Sequence, residues 1–211
     1  MTFPLQETQI FIDGPVGPIE AMVQSSEVPI NWLAVICHPN PLQEGTMNNK
    51  VVTTLQRTFR MLGMATVRFN FRGVGKSAGK YGYEVGELAD LIAVIAWARA
   101  AYPQAKLCLA GFSFGGYISY CAANTVKADC LISITLTVTH HDFDCIGLPT
   151  MPWILVQGDQ DEVIDPVAVF KWVEKQQVKP IILEFKDATH FFHGRLIELR
   201  ERLSEALTRI I

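Results

Sequence analysis

Charge is sparse in this chain, and what there is nearly balances. Lys and Arg number 18 and Asp and Glu 21 among 211 residues, for a formal net charge of -3. No dense Lys/Arg cluster occurs, so the sequence carries no electrostatic footprint for nucleic acid or for an anionic membrane surface. Long hydrophobic runs are missing too. The longest near-continuous one, 91–98, falls well short of the roughly 20 residues that span a bilayer. The N-terminal "MTFPLQETQIFIDGPVG" has no basic stretch leading into an apolar one, which a secretory leader needs. Cysteines are few: Cys37, Cys108, Cys121, Cys130 and Cys145, four of them in apolar segments, with no Cys-x-x-Cys pair. Thiols used this way fill cores in a reducing compartment. Disulfides and a structural zinc are therefore not expected, and the cytoplasm is the expected location.

What is present is apolar and regularly punctuated. Hydrophobic residues make up 49% of the chain, enough for a large core. The length fits one domain, residues 1–211, with no linker or repeat on which to divide it. "TQIFIDGPVGPIEAMVQ" reads as a hairpin of two strands about a Gly/Pro turn. Six more strands are expected at 32–38, 65–71, 106–112, 130–136, 152–158 and 180–186. Most are near-continuously apolar, as strands covered on both faces are. Between them apolar residues recur at helical spacing: Val52, Leu55, Phe59 and Leu62; Leu88, Leu91, Ile92 and Ile95; Leu196, Leu199, Leu203, Leu207 and Ile210. Strands alternating with helices after a hairpin predict an α/β fold with a mostly parallel sheet. Chemistry in such sheets sits beyond the C-terminal strand ends.

Three of those ends carry reactive groups. In "CLAGFSFGGYISY" (108–120) a strand breaks into Gly111-Phe112-Ser113-Phe114-Gly115, a G-x-S-x-G corner followed by a helical segment. The glycines allow a sharp turn that lifts Ser113 off the sheet, which makes it the candidate nucleophile. A bare structural turn is the alternative. A serine hydroxyl needs a base and an orienting carboxylate. "LVQGDQDEVID" supplies Asp161, with Asp159 the alternative, while Asp165 suits a helix cap and Glu162 is expected to point away. "KDATHFFHGR" supplies His190, with His193 the alternative. An oxyanion requires two N–H donors. Phe114, after the nucleophile, is one. In His38-Pro39-Asn40-Pro41 the prolines have no N–H, so Asn40 is the interior donor and the other candidate. His38 is expected to brace this loop.

Taken in order, "CHPNPLQEGTMNNKVV", "VRFNFRGVGKSAGKY", "LAGFSFGG", "QGDQDEVID" and "ATHFFHGR" resemble the α/β-hydrolases. The resemblance is to the compact bacterial branch related to dienelactone hydrolases, and it runs over nearly the whole chain. It implies an α/β-hydrolase fold with an N-terminal antiparallel hairpin and helices on both faces. It also implies a nucleophile, acid and base at Ser113, Asp161 and His190, oxyanion donors at Asn40 and Phe114, and a structural loop at 70–79 with Arg72 tying loops together. Dienelactone hydrolases carry cysteine in the corner, so Ser113 argues against that activity. Only 137–151 connects the sixth expected strand to the next, too little for a large lid. Within it "HHDFD" offers His140, His141, Asp142 and Asp144 as metal ligands, but a solvated loop at the site's rim is the expectation.

The resulting expectation is a serine hydrolase acting on esters or thioesters of small or exposed acyl groups, without cofactor or metal. Its partners would be a small-molecule substrate, not nucleic acid or membrane, and it would be a monomer or homodimer. A small-peptide or amide hydrolase, a cofactor-free perhydrolase and a non-catalytic binding fold are the rivals.

Overall fold

The structure is a computed structural model that describes residues 2–143 and 146–211. Asp144 and Cys145, named among the sequence candidates, lie outside the described residues. Eight strands form a single sheet: β1 (Thr8–Gly14), β2 (Gly17–Gln24), β3 (Trp32–Cys37), β4 (Ala65–Phe69), β5 (Lys106–Phe112), β6 (Cys130–Ile134), β7 (Trp153–Gly158) and β8 (Ile181–Phe185). All eight fall where the apolar runs predict them. Their order is β1-β2-β4-β3-β5-β6-β7-β8. β2 runs antiparallel to both β1 and β4, and β3 to β8 are mutually parallel.

Period-two alternation explains the layers. In β3, Leu33, Val35 and Cys37 join one buried cluster, with Leu91, Val94 and Ile95 of α2 (Val85–Ala101), Ile118 of α3 (Phe114–Ala123) and Val169 of α4 (Pro166–Lys175). Ala34 and Ile36 point the other way. They join Val51, Val52, Leu55 and Phe59 of α1 (Lys50–Met61) and Leu199, Leu203 and Leu207 of α5 (Leu196–Leu207). A sheet covered on both faces needs apolar residues at every position, and this is why the strands read as continuous runs. The helix ends are specified locally. Asn49 and Asp165 each accept a hydrogen bond at the start of α1 and α4, from Val51 N–H and Val167 N–H, with Pro166 at the first position of α4.

The connectivity decides where a ligand can sit. The chain steps from β3 outward to β4, then returns to place β5 on the other side of β3. The crevice at the C-terminal ends of β3 and β5 is the point where the winding reverses. The loop after β3 holds Asn40 and the turn after β5 holds Ser113. The connection from β6 to β7 contains no regular element among its described residues, and no lid covers the crevice. No helix is long and apolar enough to cross a membrane among the described residues.

Candidate active site

Ser113 sits at φ 55°, ψ −120°, a left-handed conformation that costs a non-glycine residue about 1–3 kcal/mol. The surroundings impose it. Its N–H donates to the Ile134 carbonyl at 2.8 Å, and the glycines on either side allow no side chain. A Cβ on Gly111 would run into the Gly115 carbonyl, and one on Gly115 would meet the Cys37 and His38 carbonyls. The second clash shows what the motif accomplishes here. It lets the start of α3 pack directly on the end of β3, bringing the Asn40 loop beside the serine.

Asp161 and His190 come together in the same way. A Cβ on Gly158 would strike the Ala188 carbonyl, so a glycine is what allows the loops after β7 and β8 to touch. His190 Nδ1 lies 3.0 and 3.1 Å from the two Asp161 carboxylate oxygens, and both residues are buried. Asp161 also accepts from Val163 N–H, Ile164 N–H and the Gln157 amide. Burial alone would raise the Asp161 pKa. The hydrogen bonds from His190 and from Ile164 and Val163 outweigh it, and the carboxyl is held below its ordinary range.

The competing carboxylates have other tasks. Asp159 accepts from Asp187 N–H at 2.7 Å, tying the two loops, and Asp165 caps α4 as expected. Glu162 corrects the sequence reading. It turns toward His190 and accepts its backbone N–H at 3.0 Å. Nothing in the spacing distinguishes it from an outward-facing residue, because its partner lies on another loop. Gln157 likewise escapes the sequence reading, although a buried amide ending an apolar strand is a visible signal.

The Asn40 side chain accepts from Leu42 N–H and its carbonyl from Gln43 and Gly45 N–H. Among the described residues its own N–H, and that of Phe114, donates to no protein group. Both residues line the hollow that contains Ser113. His38 braces the loop. Its Nδ1–H donates to the Pro39 carbonyl at 2.6 Å and its Nε2 accepts from Phe71 N–H at 3.1 Å. Complete burial, opposed in part by the Pro39 bond, lowers its pKa to about 4, so the ring is neutral. Arg72 makes paired bonds of 3.0 and 2.7 Å to Asp90 of α2. It thus ties the 70–79 loop to that helix.

Two hollows flank the serine. One, of about 290 Å³, is lined by His190, Phe191, Glu44 and Asn49; the other, of about 240 Å³, by Tyr81, Glu84, Phe114, Thr137, His140 and His141. Ser113, Asn40, Gln43 and Val163 border both. The "HHDFD" segment is therefore more than a solvated rim: His141 stacks on Tyr117 with ring centroids 4.0 Å apart, and Phe143 is buried in the core. No group of three potential metal ligands occurs among the described residues.

The chain's relatives agree with this architecture. The family model of the X-Pro dipeptidyl-peptidases (S15 family) matches residues 31–144. The crystal structure of XC6422 from Xanthomonas campestris, a serine hydrolase without a lid, superposes with a TM-score of 0.94. It is 42% identical, over 99% of this chain and 97% of that one. An α/β serine hydrolase homologue from Coxiella burnetii gives 0.92 at 46% identity, over 95% and 97%. Protein RP471 of Rickettsia prowazekii is 32% identical, over 96% of this chain and 89% of that one. The chain belongs to the lid-less α/β serine hydrolases. In this hydrolase the serine-bearing corner, the paired histidine and aspartate and the two free N–H groups all stand at the crevice where the sheet's winding reverses.

Proposed function

We propose that this hydrolase cleaves esters or thioesters of small or exposed acyl groups through Ser113, His190 and Asp161. The observation that carries the reading is the Asp161–His190 pair, whose histidine shares a hollow with the strained serine. A carboxylate bonded to Nδ1–H leaves Nε2 as the basic nitrogen. His190 then takes the Ser113 hydroxyl proton as Oγ attacks the carbonyl. The Asn40 and Phe114 N–H groups receive the oxyanion. The tetrahedral intermediate collapses to an acyl-enzyme as His190 returns the proton to the departing alcohol or thiol. Water, deprotonated by His190, releases the acid and restores the serine. The shallow, uncovered crevice supports small or exposed acyl groups over long buried chains. The S15 family match favours amide cleavage as a second reading, since the same groups can protonate a leaving amine.

The test is labelling with a fluorophosphonate, read by intact mass. The wild type should gain one adduct. Ser113→Ala should gain none, His190→Ala should react at least about a thousandfold more slowly, and Asp161→Asn should also be slowed strongly. Parallel turnover of a matched ester, thioester and amide would separate the two readings. A folded wild type that takes no adduct overturns the assignment.

A further inference from the structure

With Ser113 as nucleophile and His190 as base, the two hollows beside the serine cannot be equivalent. The leaving group must receive a proton from His190, so it occupies the hollow that His190 lines. The acyl group then lies in the other, which Phe114 borders. That acyl hollow has a distinctive wall. Glu84 is its one carboxylate, and no Lys or Arg joins it among the described lining residues.

Glu84 lines this space and contacts the His141 ring on its wall. His141 Nδ1 lies 2.8 Å from the Thr137 hydroxyl, and its Nε2 lies 3.3 Å from Glu84 Oε1. Burial lowers the His141 pKa, with the Glu84 charge opposing it, so the imidazole orients the carboxylate without cancelling its charge. The backbone is strained to the same end. Tyr83 and Glu84 are consecutive non-glycine residues at φ 52° and 71°, each costing about 1–3 kcal/mol, and Glu87 closes back on Glu84 N–H at 2.9 Å. Aromatic faces complete the wall: Tyr81 and His141 stand 6.2 and 6.1 Å from Phe114, centroid to centroid. A lone carboxylate among aromatic rings suits a cation, which gains from both.

We propose, on the basis of the serine-hydrolase reading, that Glu84 anchors a cationic nitrogen on the acyl part of the substrate. The preferred esters or thioesters then carry an ammonium or quaternary ammonium group there. The test uses two p-nitrophenyl esters of the same shape and leaving group, 4-(trimethylammonio)butyrate and 5,5-dimethylhexanoate. The wild-type enzyme should favour the cationic ester in kcat/KM by about tenfold. Glu84→Gln should bring that ratio close to one, whereas Glu44→Gln, on the leaving-group side, should keep the wild-type ratio. The wild-type preference should also shrink between low and high salt, a measurement that needs no variant to fold. A wild type that hydrolyses the neutral ester at least as fast overturns the anchor alone. So does a ratio unchanged in folded Glu84→Gln, or one lost in Glu44→Gln. Absence of both turnover and fluorophosphonate labelling overturns the hydrolase reading and the anchor with it.

Discussion

At the scale of single residues, the buried groups of this site are specified by what they bond to. His38 is the clearest case. Its ring is fully buried, donates to Pro39 and accepts from Phe71, so a second proton would break the Phe71 bond. Its pKa falls from 6.5 to about 4 on folding. As pH drops below 6.5, the unfolded chain takes up a proton that the folded ring refuses. The stability contributed is fully present above pH 6.5 and is lost as pH falls toward 4, by on the order of 3 kcal/mol. Urea denaturation across that window should show the loss, and His38→Gln, which bonds but does not titrate there, should flatten it. Asp161 adds a second, more acidic stage. Its carboxyl is held below the ordinary 3.8, so its contribution is present above that value and lost as pH falls further. Ser113, Asp161, His190, Asn40 and Phe114 could be put forward from sequence as candidates because each is marked by a chain neighbour, whether glycine, proline or a strand end. Glu162 and Glu84 could not, because each meets a group on a distant loop, the His190 N–H and the His141 ring. Gln157 bonds to Asp161 only four residues on, but nothing in the sequence assigns that amide its partner.

At the scale of elements, the corner between β5 and α3 works through what its glycines exclude. Gly115 faces the carbonyls of Cys37 and His38, rigid backbone at the end of a central strand. Gly115→Ala must push the loop carrying Asn40 away from Ser113. Losing one oxyanion donor costs about 10²–10³ in kcat, and a drop of that size with short-chain esters is expected, alongside slower fluorophosphonate labelling. Wild-type rates in this variant would mean that the close approach of β3 and α3 does not set the oxyanion geometry. Helix ends and strand positions were legible because they rest on local rules. Asp165-Pro166 opens α4, and of the expected stripe Val52, Leu55 and Phe59 are buried on α1, with Leu62 half-buried at its C-terminal cap. The final stripe residue, Ile210, lies beyond α5, which ends at Leu207, because the chain continues as a hydrogen-bonded turn, Ile210 N–H donating to the Leu207 carbonyl at 2.8 Å, that keeps the same spacing.

At the scale of the whole molecule, the absence of a lid leads to a prediction about chain length for the proposed ester cleavage. In a closed tunnel each further buried CH₂ of an acyl chain contributes up to about 0.8 kcal/mol. A hollow of about 240 Å³ open to solvent stops gaining once it is filled. Along p-nitrophenyl esters from butyrate to decanoate, kcat/KM should therefore level off or fall; a continued steep rise would require a cover over the site. The sequence by itself determined the α/β alternation, the eight strands, the missing lid and the reactive groups at strand ends, since these follow from period, turn residues and segment length. Only the tertiary structure decided that two hollows flank the serine and that Glu84 lines the one His190 does not. It also decided that His141 is a packed wall and that Glu162 steadies His190. Those facts depend on contacts between loops far apart in the chain, and no local pattern of residues encodes which loop meets which.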